Sequence, residues 1–292
     1  MTLKRENRTL ERIFLCCALL SIASVILMTI FIFLRGLPLF KVTSLWEFLF
    51  SSNWNPTDNN PSYGILSFIV GSLYVTGLAL LISVPVGLSA GIFLSELANQ
   101  KMSKFLRSTV ELLAGIPSVI YGLFGIAFIV PMVRNLFGGN GYSVLSAALI
   151  LSIMTLPTIV NMTEVSLRNV SKELREGSWA LGATKWQTIV GVLFPAARSG
   201  IITGVVLGMG RAMGETMAVL LVGGNAPIMP DHPTSMVRTL TMNIITDMSY
   251  AEGNHLTSLF TTAMVLFIFI LCLNIGIQLV IKASFKEQQG QI

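Results

Sequence analysis

Six long apolar runs dominate this chain of 292 residues. Each has about the 20 residues that an α-helix needs to cross the hydrocarbon of a bilayer. Because a bilayer offers no water to backbone amides and carbonyls, such runs fold as helices. The sequence therefore predicts an all-α polytopic membrane protein with six transmembrane helices. The runs lie at roughly residues 13–34, 65–94, 109–133, 144–162, 201–222 and 257–281.

The composition agrees with a membrane protein. Charged residues make up 11% of the chain and hydrophobic residues 53%. A soluble domain carries roughly a quarter charged residues, so this chain has too few to cover a surface that faces water. The polar stretches between the runs have about 30 residues at most, which is too short for an independent core. We expect a single transmembrane domain over residues 13–282, with short tails at 1–12 and 283–292.

The basic residues indicate the orientation of the chain. If the N-terminus is cytoplasmic, 14 of the 19 lysines and arginines lie inside, 4 lie outside, and Arg211 lies within a span. The positive-inside rule therefore predicts that both termini are cytoplasmic. This excess also accounts for the net charge of +5, so no nucleic-acid partner is expected. The first run is longer than the apolar core of a cleaved signal, and we expect it to be retained.

No catalytic or metal-binding pattern is visible. The chain lacks a G-x-x-x-x-G-K-[ST] loop for nucleotide phosphates, and it also lacks H-E-x-x-H and G-x-S-x-G. Cys16, Cys17 and Cys272 lie in apolar runs and are best interpreted as small packing residues. His232 and His255 share one polar loop and form no recognisable constellation. The sequence predicts a protein that is not itself an enzyme.

A polar segment at residues 164–199 separates the fourth and fifth runs and predicts two short helices that meet at a tight corner. Gly182 stands where the C-terminal cap of a helix favours a residue tolerant of positive φ. Thr184 and Gln187 match a capping box at the start of the second helix. Pro195 limits how far that helix can run unbroken. Such a charged elbow is either an ordinary solvated loop or a docking element for another protein.

Two charged residues fall within the fifth run, Arg211 and Glu215. A charge at the centre of a bilayer costs roughly 2.5–3.5 kcal/mol, so it usually faces a partner or a cavity. On a continuous helix, residues four apart share one face. They could form a neutralising ion pair, or Arg211 could line the route of an anion that Glu215 positions, and both could hold. Glu111 lies close to the boundary of the third run and is less informative.

The elbow resembles the EAA loop of ABC importer permeases, whose pattern is E-A-A, then G, then I-x-L-P. Glu176, Gly182 and Pro195 fall on the Glu, Gly and Pro of that pattern. Gly177 and Ser178 replace the two alanines with residues that are still small. The resemblance implies a coupling helix that docks into a groove on a separate ATPase subunit. The residues that it implies for this coupling are Glu176, Gly177, Ser178, Gly182, Ala183 and Thr184.

Two further motifs resemble those of phosphate-specific ABC permeases. Residues 110–122, V-E-L-L-A-G-I-P-S-V-I-Y-G, are similar to the third-span motif of that group. Residues 210–219, G-R-A-M-G-E-T-M-A-V, are similar to its fifth-span motif, with the ending typical of the PstC type rather than the PstA type. The resemblance extends from the first run to the C-terminus. It implies the type I importer permease fold, with Arg211 and Glu215 on the route of phosphate.

The same resemblance implies a set of partners. They are a PstA-type permease, two copies of a cytoplasmic ATPase, an extracytoplasmic phosphate-binding protein, phosphate itself and membrane lipid. ATP and Mg would bind to the partner ATPase, and this chain would bind no cofactor. The expected location is the plasma (inner) membrane of a bacterium. Two alternatives stay open, namely an ABC permease for another oxyanion such as molybdate or sulfate, and a secondary transporter or channel that needs no ATPase.

Overall fold

The computed structural model describes the backbone of residues 2–289 and the side-chain surroundings of residues 11–276, 278 and 279. Six helices in this part of the chain are long and apolar enough to cross a membrane, which confirms the predicted number of spans. They are Glu11–Lys41, Leu66–Leu97, Ser118–Phe137, Val144–Arg168, Lys185–Gly214 and Gly253–Gly276.

The first third of the chain contains two of these spans and a small segment between them. A two-stranded antiparallel hairpin pairs Trp54 with Tyr63 and Asn55 with Ser62. The elements are α1 (Thr2–Gly36), a 3-10 turn (Leu37–Lys41), α2 (Leu45–Phe50), β1 (Trp54–Asn55), β2 (Ser62–Tyr63) and α3 (Leu66–Ile92), which continues as a π-helical turn (Phe93–Leu97).

Of the remaining four spans, the fourth and the sixth are single helices and the third and the fifth are assembled from shorter pieces. Two of them contain π-helical turns, at Gly125–Ile129 and Ile189–Leu193. The helices are α4 (Gln100–Gly115), α5 (Ser118–Phe124), α6 (Val130–Phe137), α7 (Val144–Arg168), α8 (Lys172–Ala180), α9 (Lys185–Thr188), α10 (Phe194–Gly214), α11 (Met217–Val222), α12 (Leu240–Asp247) and α13 (Gly253–Gln289).

The core of the bundle is built around α7, the most buried of the six spans. Helices α3 and α10 pack against it through glycines. A Cβ atom at Gly87 of α3 would lie 2.7 Å from the side chain of Ile159, and one at Gly204 of α10 would lie 2.5 Å from Met162. Small residues let the backbones of membrane helices approach closely, and dispersion contacts then hold the helices together.

The third span begins later than the sequence predicts. The run at 109–133 was expected to be one helix, but Ile116 and Pro117 are extended, with ψ angles of 128° and 142°. Proline has no amide hydrogen and disfavours helical geometry in the preceding residue, so the helix breaks there. The amphipathic helix α4 therefore precedes the spanning helix, which begins at Ser118.

The fifth span is also displaced from its predicted bounds of 201–222. A continuous helix runs from Lys185 to Gly214, and Glu215 then adopts extended geometry. The expectation that Pro195 limits the second elbow helix is wrong, because the helix passes through Pro195, two residues after the end of the π-helical turn. A local π-helical turn shifts the hydrogen-bond pattern and so accommodates a residue that has no amide hydrogen. The elbow is therefore continuous with the fifth span.

The predicted tails are largely helical. Helix α1 begins at Thr2, so it includes most of the tail expected at 1–12. Helix α13 continues to Gln289, and the rest of the tail expected at 283–292 lies outside the described residues. We call the end of the bundle that carries α8 and α9 the elbow end. The far end carries β1, β2 and α12.

The packing of α3 on α7 gives a matched pair of substitutions. A Cβ atom at Gly91 would lie 2.6 Å from Cβ of Thr163, whereas one at Gly77 of the same helix would meet nothing within 4 Å. We expect Gly91→Ala to lower the free energy of unfolding by about 1–3 kcal/mol through overpacking. Gly77→Ala should leave stability unchanged or raise it by up to about 1 kcal/mol. Thermal unfolding in detergent measures both, and equal unfolding temperatures would contradict the packing.

Candidate functional site

The corner of the elbow is closed by a Schellman motif at the end of α8. Gly182 has φ of +82°, and its amide donates to the carbonyl of Trp179 at 2.9 Å. The amide of Ala183 donates to the carbonyl of Ser178 at 3.2 Å. These two bonds satisfy carbonyls that the end of a helix otherwise leaves free, and they need a residue that tolerates positive φ. The predicted helix cap at Gly182 is confirmed.

The second elbow helix starts with the predicted capping box. The amide of Gln187 donates to Thr184 Oγ1 at 3.3 Å, and the amide of Thr184 donates to Gln187 Oε1 at 2.8 Å. The hydroxyls of Ser178 and Thr188 are 3.0 Å apart, so a hydrogen bond links the two helices behind the corner. The elbow is therefore a defined turn with its helix ends satisfied.

The surface of the elbow is apolar as well as charged. Leu181 is 91% exposed at the corner, and the indole side chains of Trp179 and Trp186 are about half exposed. Glu176 and Gly177 lie beside them and are exposed too. Exposed aromatic and aliphatic side chains grouped in this way are typical of a surface that binds another protein. This patch consists of Trp179, Leu181 and Trp186, and we call it the elbow patch.

An ion pair attaches the elbow to the bundle. Arg175 of α8 donates to Glu96 Oε1 at 2.8 Å, and the side chain of Glu96 is only 5% exposed at the end of the second span. A buried carboxylate needs a compensating charge, so breaking this pair would leave Glu96 uncompensated. Sequence analysis missed the pair because nothing in the local pattern relates two residues 79 positions apart.

A second ion cluster lies beside it. Glu164 is 2% exposed and forms salt bridges with Arg107 of α4 and Arg168 of α7, the latter at 3.0 Å. Arg168 also donates to Ser103 Oγ at 3.2 Å. The elbow end is thus held by charged contacts among α3, α4, α7 and α8.

Arg211 lies near the middle of the bundle. The antiparallel packing of Gly204 on Met162 and of Gly208 on Ile159 puts Arg211 opposite the middle of α7. Its side chain is exposed, and the residues that the structure describes include no salt-bridge partner for it. The interpretation of Arg211 and Glu215 as an ion pair on one helix face is therefore wrong for this conformation.

Glu215 has a different role, because the helix ends one residue before it. Its Oε1 accepts a hydrogen bond from the amide of Ala218 at 3.1 Å and so caps the start of α11. Its own carbonyl accepts from Thr241 Oγ1 at 3.0 Å. A carboxylate at a helix N-terminus is favourable. Arg211 consequently offers an uncommitted guanidinium at a break in the fifth span, with the Glu215 carboxylate four residues away in the chain.

A polar hub at the far end was missed by sequence analysis. Asp247 is 2% exposed and accepts hydrogen bonds from Trp54, at 3.1 Å, and from Tyr250, at 2.8 Å. It also forms an ion pair with Arg238, and it lies within hydrogen-bonding distance of His255 Nε2, each at 3.3 Å. Burial and the hydrogen bond with Asp247 raise the pKa of Tyr250, which keeps its hydroxyl protonated. His255 therefore belongs to a hydrogen-bonded hub that the sequence pattern did not indicate.

The chain is similar to known transport proteins. The profile of the family described as "Binding-protein-dependent transport system inner membrane component" matches residues 83–284. A probable ABC transporter permease protein, YqgH, of Bacillus subtilis is 44% identical over 91% of each chain. The phosphate transport system permease protein PstC of Xylella fastidiosa is 35% identical over 76% of this chain and 74% of its own.

Solved structures share the fold. The methionine ABC transporter MetNI, in an inward-facing conformation, contains a chain that matches with a TM-score of 0.61 and 20% identity over 75% of this chain and 95% of its own. A bacterial ABC transporter that imports alginate contains one that matches with a TM-score of 0.61 and 17% identity, over 94% and 98%. Both likenesses support the expected ABC importer permease fold. The chain belongs to the binding-protein-dependent transport system inner membrane component family of ABC permeases.

Proposed function

We propose that this chain is a permease subunit of an ATP-driven importer for inorganic phosphate. The observation that carries the proposal is the uncommitted Arg211 at the break of the fifth span, halfway through the bundle. A guanidinium can hold a tetrahedral oxyanion through two parallel hydrogen bonds. Arg211 belongs to the motif G-R-A-M-G-E-T-M-A-V, whose ending resembles the PstC type. The relatives named PstC support phosphate as the cargo.

The elbow supports coupling to a separate ATPase. Its closed corner and the exposed elbow patch suit docking into a groove of a partner. The expected coupling residues are Glu176, Gly177, Ser178, Gly182, Ala183 and Thr184. ATP and Mg belong to the partner in this proposal, and the chain itself holds no nucleotide. The positive-inside rule supports a cytoplasmic elbow end with both termini inside, in a bacterial plasma membrane.

The far end then faces the outside, where a binding protein delivers phosphate. One of the similar alginate transporter structures is a complex with a periplasmic protein, which supports this arrangement. A PstA-type permease would complete the translocation pathway. We propose that ATP binding closes the ATPase dimer, that the elbow carries this movement into α7 and α10, and that the cavity opens outward and later inward. Arg211 offers phosphate a transient site within that cavity.

Uptake of radiolabelled phosphate at limiting concentration tests the proposal. Cells with and without the chain are compared, unlabelled sulfate and molybdate serve as competitors, and a strain without the cognate ATPase is the control. We expect a component of uptake that needs both the chain and the ATPase and that sulfate and molybdate do not inhibit. If cells without the chain lose uptake of molybdate or sulfate and keep that of phosphate, the cargo is that other oxyanion. Uptake that persists without the ATPase would indicate a secondary transporter.

Removing the charge of Arg211 tests the pathway. We expect Arg211→Gln to abolish phosphate uptake, because the remaining amide cannot hold the anion through two charged hydrogen bonds. The matched control is Arg134→Gln, which removes an exposed arginine of α6 outside the site. Assembly is followed by co-purification of the partner subunits and should be unchanged in both variants. Normal uptake by Arg211→Gln would remove this residue from the pathway.

Introducing a charge at the corner of the elbow tests whether the ATPase docks there. Leu181 is almost fully exposed, so Leu181→Glu should leave the fold of this chain intact. We expect it to abolish co-purification of the ATPase, because the interface would then have to bury an unpaired carboxylate. Leu181→Met keeps the apolar surface and should retain the ATPase. If Leu181→Glu binds the ATPase as the unmodified chain does, the coupling surface lies elsewhere.

A further inference from the structure

Two breaks lie side by side in the middle of the bundle. Helix α5 begins directly after Ile116 and Pro117, and α11 begins directly after Glu215 and Thr216. The two helices are packed without a gap: a Cβ atom at Gly122 would lie 2.4 Å from Leu221. Gly122 and Leu221 are each the fifth residue of their helix, and Gly125 meets Val222 further along, so the two helices run parallel and the two breaks lie at about the same level. The third span therefore begins, and the continuous helix of the fifth span ends, beside Arg211.

Tyr121 repairs the first break. In a continuous α-helix the carbonyl of Leu113 would accept from the amide of residue 117, but that residue is a proline and has no amide hydrogen. The hydroxyl of Tyr121 donates to this carbonyl at 2.7 Å. The amide of Ile116 also reaches it, at 3.3 Å. Tyr121 is only 5% exposed. Its hydroxyl therefore bonds the Leu113 carbonyl at the end of α4 from within the buried part of the bundle.

The same hydroxyl lies near the level of Arg211. Arg211 lies one turn before the second break, where α11 begins beside α5. Tyr121 and Ala212, the residue after Arg211, belong to one apolar cluster, against which Ile116 also packs. The Tyr121 hydroxyl and the Leu113 carbonyl thus form a donor and an acceptor at the level of Arg211, for which the described residues include no salt-bridge partner.

We propose that Tyr121 is a second contact for the anion that Arg211 holds, with the Leu113 carbonyl as its counterpart. This inference rests on the proposed function. When hydrogen phosphate arrives, the Tyr121 hydroxyl turns from the carbonyl to a phosphate oxygen, and the P–OH group donates to the freed carbonyl. The bond between Tyr121 and Leu113 is replaced by two bonds to the phosphate, and no proton is transferred.

The chemistry of the cargo fits this exchange. Hydrogen phosphate carries both acceptor oxygens and a hydroxyl donor, so it uses the Tyr121 hydroxyl and the Leu113 carbonyl together. Sulfate carries acceptors alone and would leave the carbonyl with only the longer bond from the Ile116 amide, which is less favourable away from water. The departing phosphate returns the hydroxyl to the carbonyl and restores the broken helix end. The contact is therefore transient, as a pathway through a membrane requires.

The variant Tyr121→Phe keeps the ring and removes the hydroxyl. In the complete complex reconstituted into proteoliposomes with its binding protein, we expect the maximal rate of phosphate uptake to fall about tenfold. The KM should change less than about twofold, because the binding protein sets it. Tyr74→Phe is the matched control, since Tyr74 packs on the same apolar cluster, and its uptake should be unchanged.

A second variant separates contact with the anion from repair of the helix. Pro117→Ala restores an amide that can bond the Leu113 carbonyl without help from Tyr121. If Tyr121 touches the anion, adding Tyr121→Phe to Pro117→Ala still lowers the uptake rate about tenfold. Equal rates in the single and the double variant would overturn the proposal and leave Tyr121 a purely structural residue.

The outcome also distinguishes this inference from the function on which it rests. If Arg211→Gln abolishes uptake while Tyr121→Phe transports at the normal rate, the pathway stands and the second contact is refuted. If Arg211→Gln transports normally, the pathway at Arg211 is refuted, whatever Tyr121→Phe does. Loss of uptake in both variants, with normal assembly, supports the inference.

Discussion

Satisfaction of the backbone at each break is the constraint on which this structure depends. A bilayer offers no water to an amide or a carbonyl, so an interrupted helix must find partners within the protein. The break at Pro117 is repaired by the hydroxyl of Tyr121 on the carbonyl of Leu113. The break after Gly214 is repaired by the Glu215 carboxylate, which caps α11, and by Thr241, which donates to the Glu215 carbonyl. Both interruptions thereby become stable features in the middle of the bundle.

The charged groups divide into two kinds by their surroundings. At the two ends of the bundle the buried acids, Glu96, Glu164 and Asp247, are each paired with arginine. Such pairs join helices that are distant in sequence. Removing only the arginine of a pair would leave a buried carboxylate without a compensating charge, which destabilises the fold. Arg211 is exposed, and no salt bridge to it is found among the described residues. An arginine in a span without a carboxylate partner is suited to bind an anion transiently.

The elbow connects these features. Its two helices are fixed to one another by a Schellman motif and a capping box, and Arg175 fixes them to the end of the second span. From Lys185 the chain continues as helix to Gly214, which is three residues beyond Arg211. A displacement at the elbow patch is therefore transmitted along one helix, and not through a flexible loop, to the break beside Arg211. Helices that break at defined points can pivot there as units.

The sequence by itself determined the six spans, the corner at Gly182 and the capping box of Thr184, because apolar length and capping chemistry are local properties. It also singled out Arg211 as a charge in an apolar run. Only the tertiary structure decided where the third and fifth spans break, because Pro117 predicts a weak point without saying what repairs it. The pairing of Arg211 with Glu215 failed because it assumed a continuous helix. The ion pairs and the Asp247 hub were invisible for a related reason: they join residues whose proximity depends on the packing of α3, α7, α10 and α13 and not on their spacing in the chain.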